Sequence, residues 1–178
     1  MTDIPARPIV GVTGHRKLAD KGRLAAAVDA ALDEIERRAT EERSGGPRRL
    51  IVLSPLAEGA DRLVAKRVLA REGGELEAVL PFPENEYAAD FASAGSRVEF
   101  ADMLARARSV ERLPPSPTRA EAYARAGRYV VDHCDVLIAI WDGKPEEGPG
   151  GTAEAVRYAR EQGRALVWID PSGARIIS

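Results

Sequence analysis

The sequence predicts a three-layer, doubly wound α/β domain, in which a mostly parallel sheet lies between two layers of helices. Three observations point there. Short β-like runs alternate with amphipathic helical stretches along the whole chain. The runs are continuously apolar rather than alternating, the pattern of strands buried on both faces. The length of 178 residues and the 44% hydrophobic content fit one domain, spanning 1–178, that can bury a sizeable core.

Each element has its own signal. Pro8 to Gly14 is an apolar run ended by glycine, and Leu24, Val28, Leu32, Ile35 and Ala39 then recur at helical spacing. Ser44-Gly45-Gly46-Pro47 breaks that helix. Leu50 to Leu53 is a second strand, and Ala60, Leu63, Val64 and Val68 form the stripe of a second helix. Leu76 to Leu80 is a third strand, closed by Pro81-Phe82-Pro83. Tyr87 and Phe91, then Phe100, Met103 and Leu104, suggest two short helices, and Val110 to Leu113 a short strand. Thr118 is a plausible N-cap for a helix carrying Ala122, Tyr123, Ala126, Tyr129 and Val130. Val136 to Trp141 is the strongest strand signal. The Asp142–Thr152 loop then leads to a helix that starts near Ala153, with Ala153, Val156 and Ala159 facing inward. Ala165 to Ile169 closes the set.

Composition excludes several functions. With 26 Lys+Arg against 28 Asp+Glu the net charge is −2, and no basic block marks a nucleic-acid footprint. The predominance of Arg suits phosphate recognition, and a GC-rich coding sequence gives the same bias. No apolar stretch approaches the ~18–20 residues of a membrane span. The first residues lack the pattern of a signal peptide, so a cytoplasmic protein is expected. One cysteine, Cys134, and two histidines far apart make neither a disulfide nor a zinc site, and no metal or cofactor is expected. Cys134 reads as a buried small apolar group and His133 as a helix-end residue. There is no Gly-x-x-x-x-Gly-Lys-Ser/Thr loop, no Gly-x-Gly-x-x-Gly and no Gly-x-Ser-x-Gly elbow.

In a doubly wound sheet, ligands bind outside the carboxyl ends of the strands. Three strand ends here carry unusual loops: Thr13-Gly14-His15-Arg16, Ser54 to Arg62, and Asp142 to Thr152. The third runs through Gly148-Pro149-Gly150-Gly151-Thr152 into a helix, where free amides and the helix dipole suit a phosphate. Thr152 either offers its hydroxyl to the ligand or simply caps the helix. Gly59-Ala60-Asp61-Arg62 opens another helix and is a second possible anion site, with Arg62 able to add a forked contact. Glu58 and Asp61 either accept from ribose hydroxyls or serve as first-turn caps. His15 and Arg16 stand where a phosphate or base would lie. A helix N-terminus contributes only ~0.3–2 kcal/mol to an anion. Micromolar binding requires about 8 kcal/mol, so a base or sugar must be held as well.

The segments Gly11-Val12-Thr13-Gly14-His15-Arg16, Leu53 to Arg62, and Gly150-Gly151-Thr152-Ala153-Glu154 together resemble the SLOG superfamily. This is a group of Rossmann-like domains that includes the LOG phosphoribohydrolases, once misnamed lysine decarboxylases, and the DNA-processing protein DprA. The likeness runs from about Ile9 to Ile169; the third loop is its recognisable part, and the first two loops resemble a bacterial subgroup. It implies a nucleotide or nucleotide-derived ligand over the Gly-rich loop, with Gly14, His15, Arg16, Glu58, Gly59, Asp61, Arg62, Gly150, Gly151 and Thr152 as ligand contacts. It also implies a homo-oligomer.

Enzymatic members of the superfamily hydrolyse the N-glycosidic bond of nucleoside 5′-monophosphates with a Pro-Gly-Gly-x-Gly-Thr-x-x-Glu motif and an arginine. Here Ala155 stands where that Glu belongs, and Glu154 is one position early, a rotation of ~100° about a helix. The glycines are compressed too. The expectation is therefore a binding domain, with phosphoribohydrolase activity through Glu154 and either Arg16 or Arg62 as the alternative. A DprA-like role with single-stranded DNA fits poorly with the acidic net charge.

Overall fold

The computed structural model describes residues 4–41, 49–145, 150–172 and 175–176. Its strands are β1 (Ile9–Gly14), β2 (Ile51–Ser54), β3 (Glu75–Leu80), β4 (Ser109–Arg112), β5 (Val136–Ile140), β6 (Ala165–Ile169) and β7 (Arg175–Ile176). Between them run α1 (Lys21–Glu41), α2 (Ala60–Leu69), α3 (Glu84–Ala88), α4 (Ala94–Ala105), α5 (Arg119–His133) and α6 (Thr152–Glu161). All strands form one sheet in the order β4-β3-β2-β1-β5-β6-β7. The first six are parallel and β7 runs antiparallel to β6. This is the three-layer, doubly wound architecture expected from the alternating pattern.

Burial on both faces explains the unbroken apolar runs. Val10, Val12, Val52, Ala78 and Ile138 point to the side covered by α1 and α2, where Leu24, Val28, Leu32, Val64 and Val68 meet them. Leu53, Val79 and Leu137 point the other way, onto Val130, Val131 and Cys134 at the end of α5 and Ala159 of α6. Cys134 is buried as expected, and desolvation pushes its thiol up to about 11. His133 ends α5, its Nδ1 2.8 Å from the Tyr129 carbonyl. The Thr118 cap is a full capping box: its hydroxyl accepts from the Glu121 amide at 3.2 Å while its own amide donates to the Glu121 carboxylate at 3.1 Å.

Two elements differ from the sequence expectation. α4 extends over twelve residues, because Ser93 caps it by accepting from the Ser96 amide at 3.1 Å. Its small residues and exposed Val98 had blurred the periodicity. β7 was not expected at all. It follows a turn in which the Ser172 amide donates to Asp170 Oδ1 at 2.9 Å, and two residues are too short to show a pattern. The Ser44–Pro47 break lies outside the described residues. Among the described residues, no helix is long and apolar enough to cross a membrane.

The sheet makes a direct prediction about its core. Leu137 and Ile138 are adjacent on β5, fully buried, and packed on opposite faces. Leu137→Ala and Ile138→Ala should each lower stability by about 2–5 kcal/mol in denaturant unfolding. Near-neutral behaviour in either would mean that one face of the sheet is not packed.

Candidate functional site

The chain proceeds outward from β1 through β2, β3 and β4, then returns to place β5 on β1's other side. That reversal opens a crevice at the carboxyl ends of β1 and β5, the usual ligand position in this architecture. Here it is a cavity of about 300 Å³. All three predicted loops contribute to it: Gly14, His15 and Arg16 after β1, Asp61 at the start of α2, and Gly150, Gly151, Thr152 and Glu154 around the start of α6.

Backbone contacts hold the first two loops together. The His15 amide donates to the Ile140 carbonyl at 3.1 Å, continuing the β1–β5 ladder, and the Ala60 amide donates to the His15 carbonyl at 3.0 Å. Gly59 has φ 85°, and a Cβ there would collide with the carbonyls of His15 and Arg16. His15 reaches across to the third loop, where the Asp142 amide donates to its Nε2 at 3.2 Å.

Three expected contacts lie elsewhere. Glu58, Gly59 and Arg62 do not line the cavity. The Arg62 side chain is 3% exposed and turns towards α4, where it donates to the Leu56 carbonyl, the Ser96 carbonyl and hydroxyl, and Glu99 Oε2 at 2.8–3.0 Å. Its guanidinium carbon lies 4.4 Å from the centre of the Phe91 ring. Glu58 is engaged there too, accepting from the Ser96 hydroxyl and from the Ala92 amide at 3.1 Å. Both residues tie the β2–α2 loop to α4, so neither side chain is offered to a ligand. Gly59 serves the close approach of the loops.

Glu154 lines the cavity but is already engaged. As the third residue of α6 it reaches back to accept from the Gly150 amide at 2.7 Å, and its other oxygen accepts from Arg128 at 3.0 Å. This resembles a capping box displaced by one residue. The Gly150 amide, one of the expected phosphate donors, is thus bonded to a carboxylate. Ala155 also lines the cavity, so the position that an enzymatic motif would give to Glu carries a methyl group. Gly151 is the N-cap and Thr152 is buried as the first helical residue. Gly148 and Pro149 lie outside the described residues.

The inner end holds groups that sequence reasoning did not connect. Asp61 is buried, and its Oδ2 accepts from the Ala57 amide at 3.1 Å. Desolvation raises its pKa to about 7, against the pull of that hydrogen bond and of the Arg16 and Arg62 charges. Tyr87, from α3, is fully buried, and its hydroxyl has no hydrogen-bond partner among the described residues. Desolvation, then the nearby Asp61, raises its pKa well above the ordinary value. Tyr123, from α5, donates to Asp90, and the Arg16 guanidinium sits over its ring, 5.0 Å from the centre. Tyr87 had given only an apolar signal in the sequence. Its buried hydroxyl becomes meaningful only once α3 is folded against the cavity.

Asp61 makes folding sensitive to pH. Its pKa in the folded chain, about 7, lies above the ordinary 3.8, so the folded state holds a proton that the unfolded state releases. Its contribution to stability therefore falls as pH rises from about 4 through 7. Asp61→Asn keeps the oxygen that faces Ala57 and removes the ionisation. The variant should melt at least ~4 °C above wild type at pH 8, with the gap narrowing towards pH 5. A gap independent of pH would show that Asp61 is not held neutral by burial.

No protein-family model matches the chain, and no curated protein matches it, so a functional reading rests on the fold and the geometry of this crevice.

Proposed function

We propose that the chain is a SLOG-type domain that binds a nucleotide or nucleotide-derived small molecule in the crevice between β1 and β5. The observation that carries this reading is the convergence of three separate loops on one cavity at the point where strand order reverses. The start of α6 would offer the positive end of a helix dipole to a phosphate once Glu154 leaves the Gly150 amide. The opposite end supplies hydrogen-bonding side chains, which phosphate contact alone would need as a complement. A volume of about 300 Å³ is at the lower end of the range for small-molecule sites. It suits a mononucleotide or something smaller better than a dinucleotide.

Hydrolysis of a nucleoside 5′-monophosphate is less well supported. Glu154 would have to leave both the Gly150 amide and Arg128 before acting on a substrate. Arg62 is committed to α4, which leaves Arg16 as the arginine of the crevice's inner end.

Thermal denaturation with a panel of nucleoside mono-, di- and cyclic phosphates tests the binding reading. A ligand at 100 times its Kd should stabilise by about 2.7 kcal/mol, a rise in Tm of roughly 5–10 °C for a domain of this size. Arg16→Ala should reduce that rise at fixed ligand concentration. No shift with any member of the panel would overturn the reading. Release of free base from AMP, lost in Glu154→Gln, would instead establish the hydrolase.

A further inference from the structure

We propose that Tyr87 and Asp61 form a nucleobase subsite at the inner end of the crevice, so that a mononucleotide lies base-inward with its phosphate at the start of α6. The proposal rests on the nucleotide-binding reading above and adds an orientation and a recognition pair.

The Tyr87 hydroxyl is the leading observation. It is fully buried, lines the cavity and has no hydrogen-bond partner among the described residues. A buried hydroxyl left unpaired is unfavourable, and native structures avoid it unless something external completes the bond. The ring cannot easily turn to find a partner. Phe91 and Phe100 meet it edge-on, with ring centres 4.9 and 5.5 Å away, and Phe82 and Tyr123 close the remaining sides at 6.2 Å. The aromatic cluster therefore holds a phenol with unused hydrogen-bonding capacity in the wall of the cavity, sealed from water, so a guest reaches the hydroxyl by parting the side chains that cover it.

Asp61 supplies the complement. The Ala57 amide occupies Oδ2, and Oδ1 has no hydrogen bond among the described residues. Together the two side chains present both donor and acceptor capacity to one guest. A cationic group is disfavoured by Arg16, and an apolar group would leave both residues unsatisfied. What fits is a neutral edge with neighbouring donors and acceptors. Both a nucleobase and a ribose diol have that chemistry. The surroundings favour the base, because Tyr123 and the Arg16 guanidinium over its ring give this end a flat π surface that a heteroaromatic ring can cover.

Titration calorimetry with AMP, GMP, CMP, UMP and ribose 5-phosphate, on wild type and Tyr87→Phe, tests the assignment. At least one nucleotide should bind tenfold or more tightly than ribose 5-phosphate. Tyr87→Phe should weaken that nucleotide about 5–20-fold and leave ribose 5-phosphate within twofold. Its Tm without ligand should equal or exceed that of wild type, since it removes an unpaired group and keeps the ring. Asp61→Asn should also alter the preference among the four bases. If nucleotides bind but Tyr87→Phe has no effect, or weakens ribose 5-phosphate equally, the subsite is wrong and the nucleotide reading stands. If ribose 5-phosphate binds as tightly as every nucleotide, the inner end does not hold a base. If none of the five binds, the subsite is wrong, and the nucleotide reading then stands or falls on the di- and cyclic phosphates of the thermal panel.

Discussion

The crevice depends on the backbone contact between β1 and β5. Parallel strands adjacent in space but distant in sequence fix where their carboxyl ends meet, and the paired residues Gly14 and Ile140 carry that register to the edge of the sheet. The His15 amide continues the ladder onto Ile140, and the His15 carbonyl then receives the Ala60 amide. One residue thereby couples the end of β1 to β5 on one side and to the start of α2 on the other. Side chains at Gly14 or Gly59 would prevent this: a Cβ at Gly14 would overlap Ala60 and the Ile140 carbonyl, and one at Gly59 the carbonyls of His15 and Arg16. These glycines build the floor on which Asp61 stands.

Two buried polar side chains from α2, Asp61 and Arg62, are satisfied in different ways. Arg62 is buried with four acceptors around it, from Leu56, Ser96 and Glu99, and its remaining Nη2, beside the Phe91 and Phe100 rings, donates no hydrogen bond among the described residues. Its charge is balanced within the protein, so it braces α4 against the β2–α2 loop. Asp61, its neighbour in sequence, is equally hidden but has one backbone donor and remains costly to ionise. The Tyr87 hydroxyl has no hydrogen-bond partner among the described residues. Among the described residues, Asp61 and Tyr87 thus leave hydrogen-bonding capacity at the crevice, while the Arg62 charge is paired with Glu99 on the side of α4. That asymmetry, more than residue type, sets the cavity-lining Asp61 and Tyr87 apart from the residue that braces the fold.

Much of the fold was legible because continuous apolar runs such as Val136–Ile140 leave little room for another reading. The loops that meet at the crevice were legible for a related reason, since any doubly wound sheet directs its strand ends to one edge. Side-chain direction was not. Glu58, Asp61 and Arg62 are closely spaced at the start of α2, and periodicity alone does not reveal that Arg62 points to α4 while Asp61 faces the cavity. Tyr87 was visible only as an apolar anchor, because its environment is assembled from α3, α4 and α5. Arg128 was silent, an exposed helical arginine until α6 brings Glu154 within 3.0 Å of it.

Glu154 shows why a one-residue displacement matters chemically. A carboxylate three residues after the first helical residue would take the place of Ala155, whose methyl group lines the crevice. One residue earlier, the carboxylate instead folds back along the helix start and bonds the Gly150 amide. The same charge that could stabilise a cationic sugar in the first position neutralises the end of the helix dipole in the second. A phosphate approaching α6 would meet that carboxylate and Arg128 together. On the proposed reading, anion binding at this end would be coupled to the Glu154–Arg128 pair: an incoming phosphate would gain if Glu154 swung away and Arg128 turned to the new anion. On the proposed reading the energetic weight of recognition then falls on the inner end, where Asp61 holds only the Ala57 amide and the Tyr87 hydroxyl has no partner among the described residues.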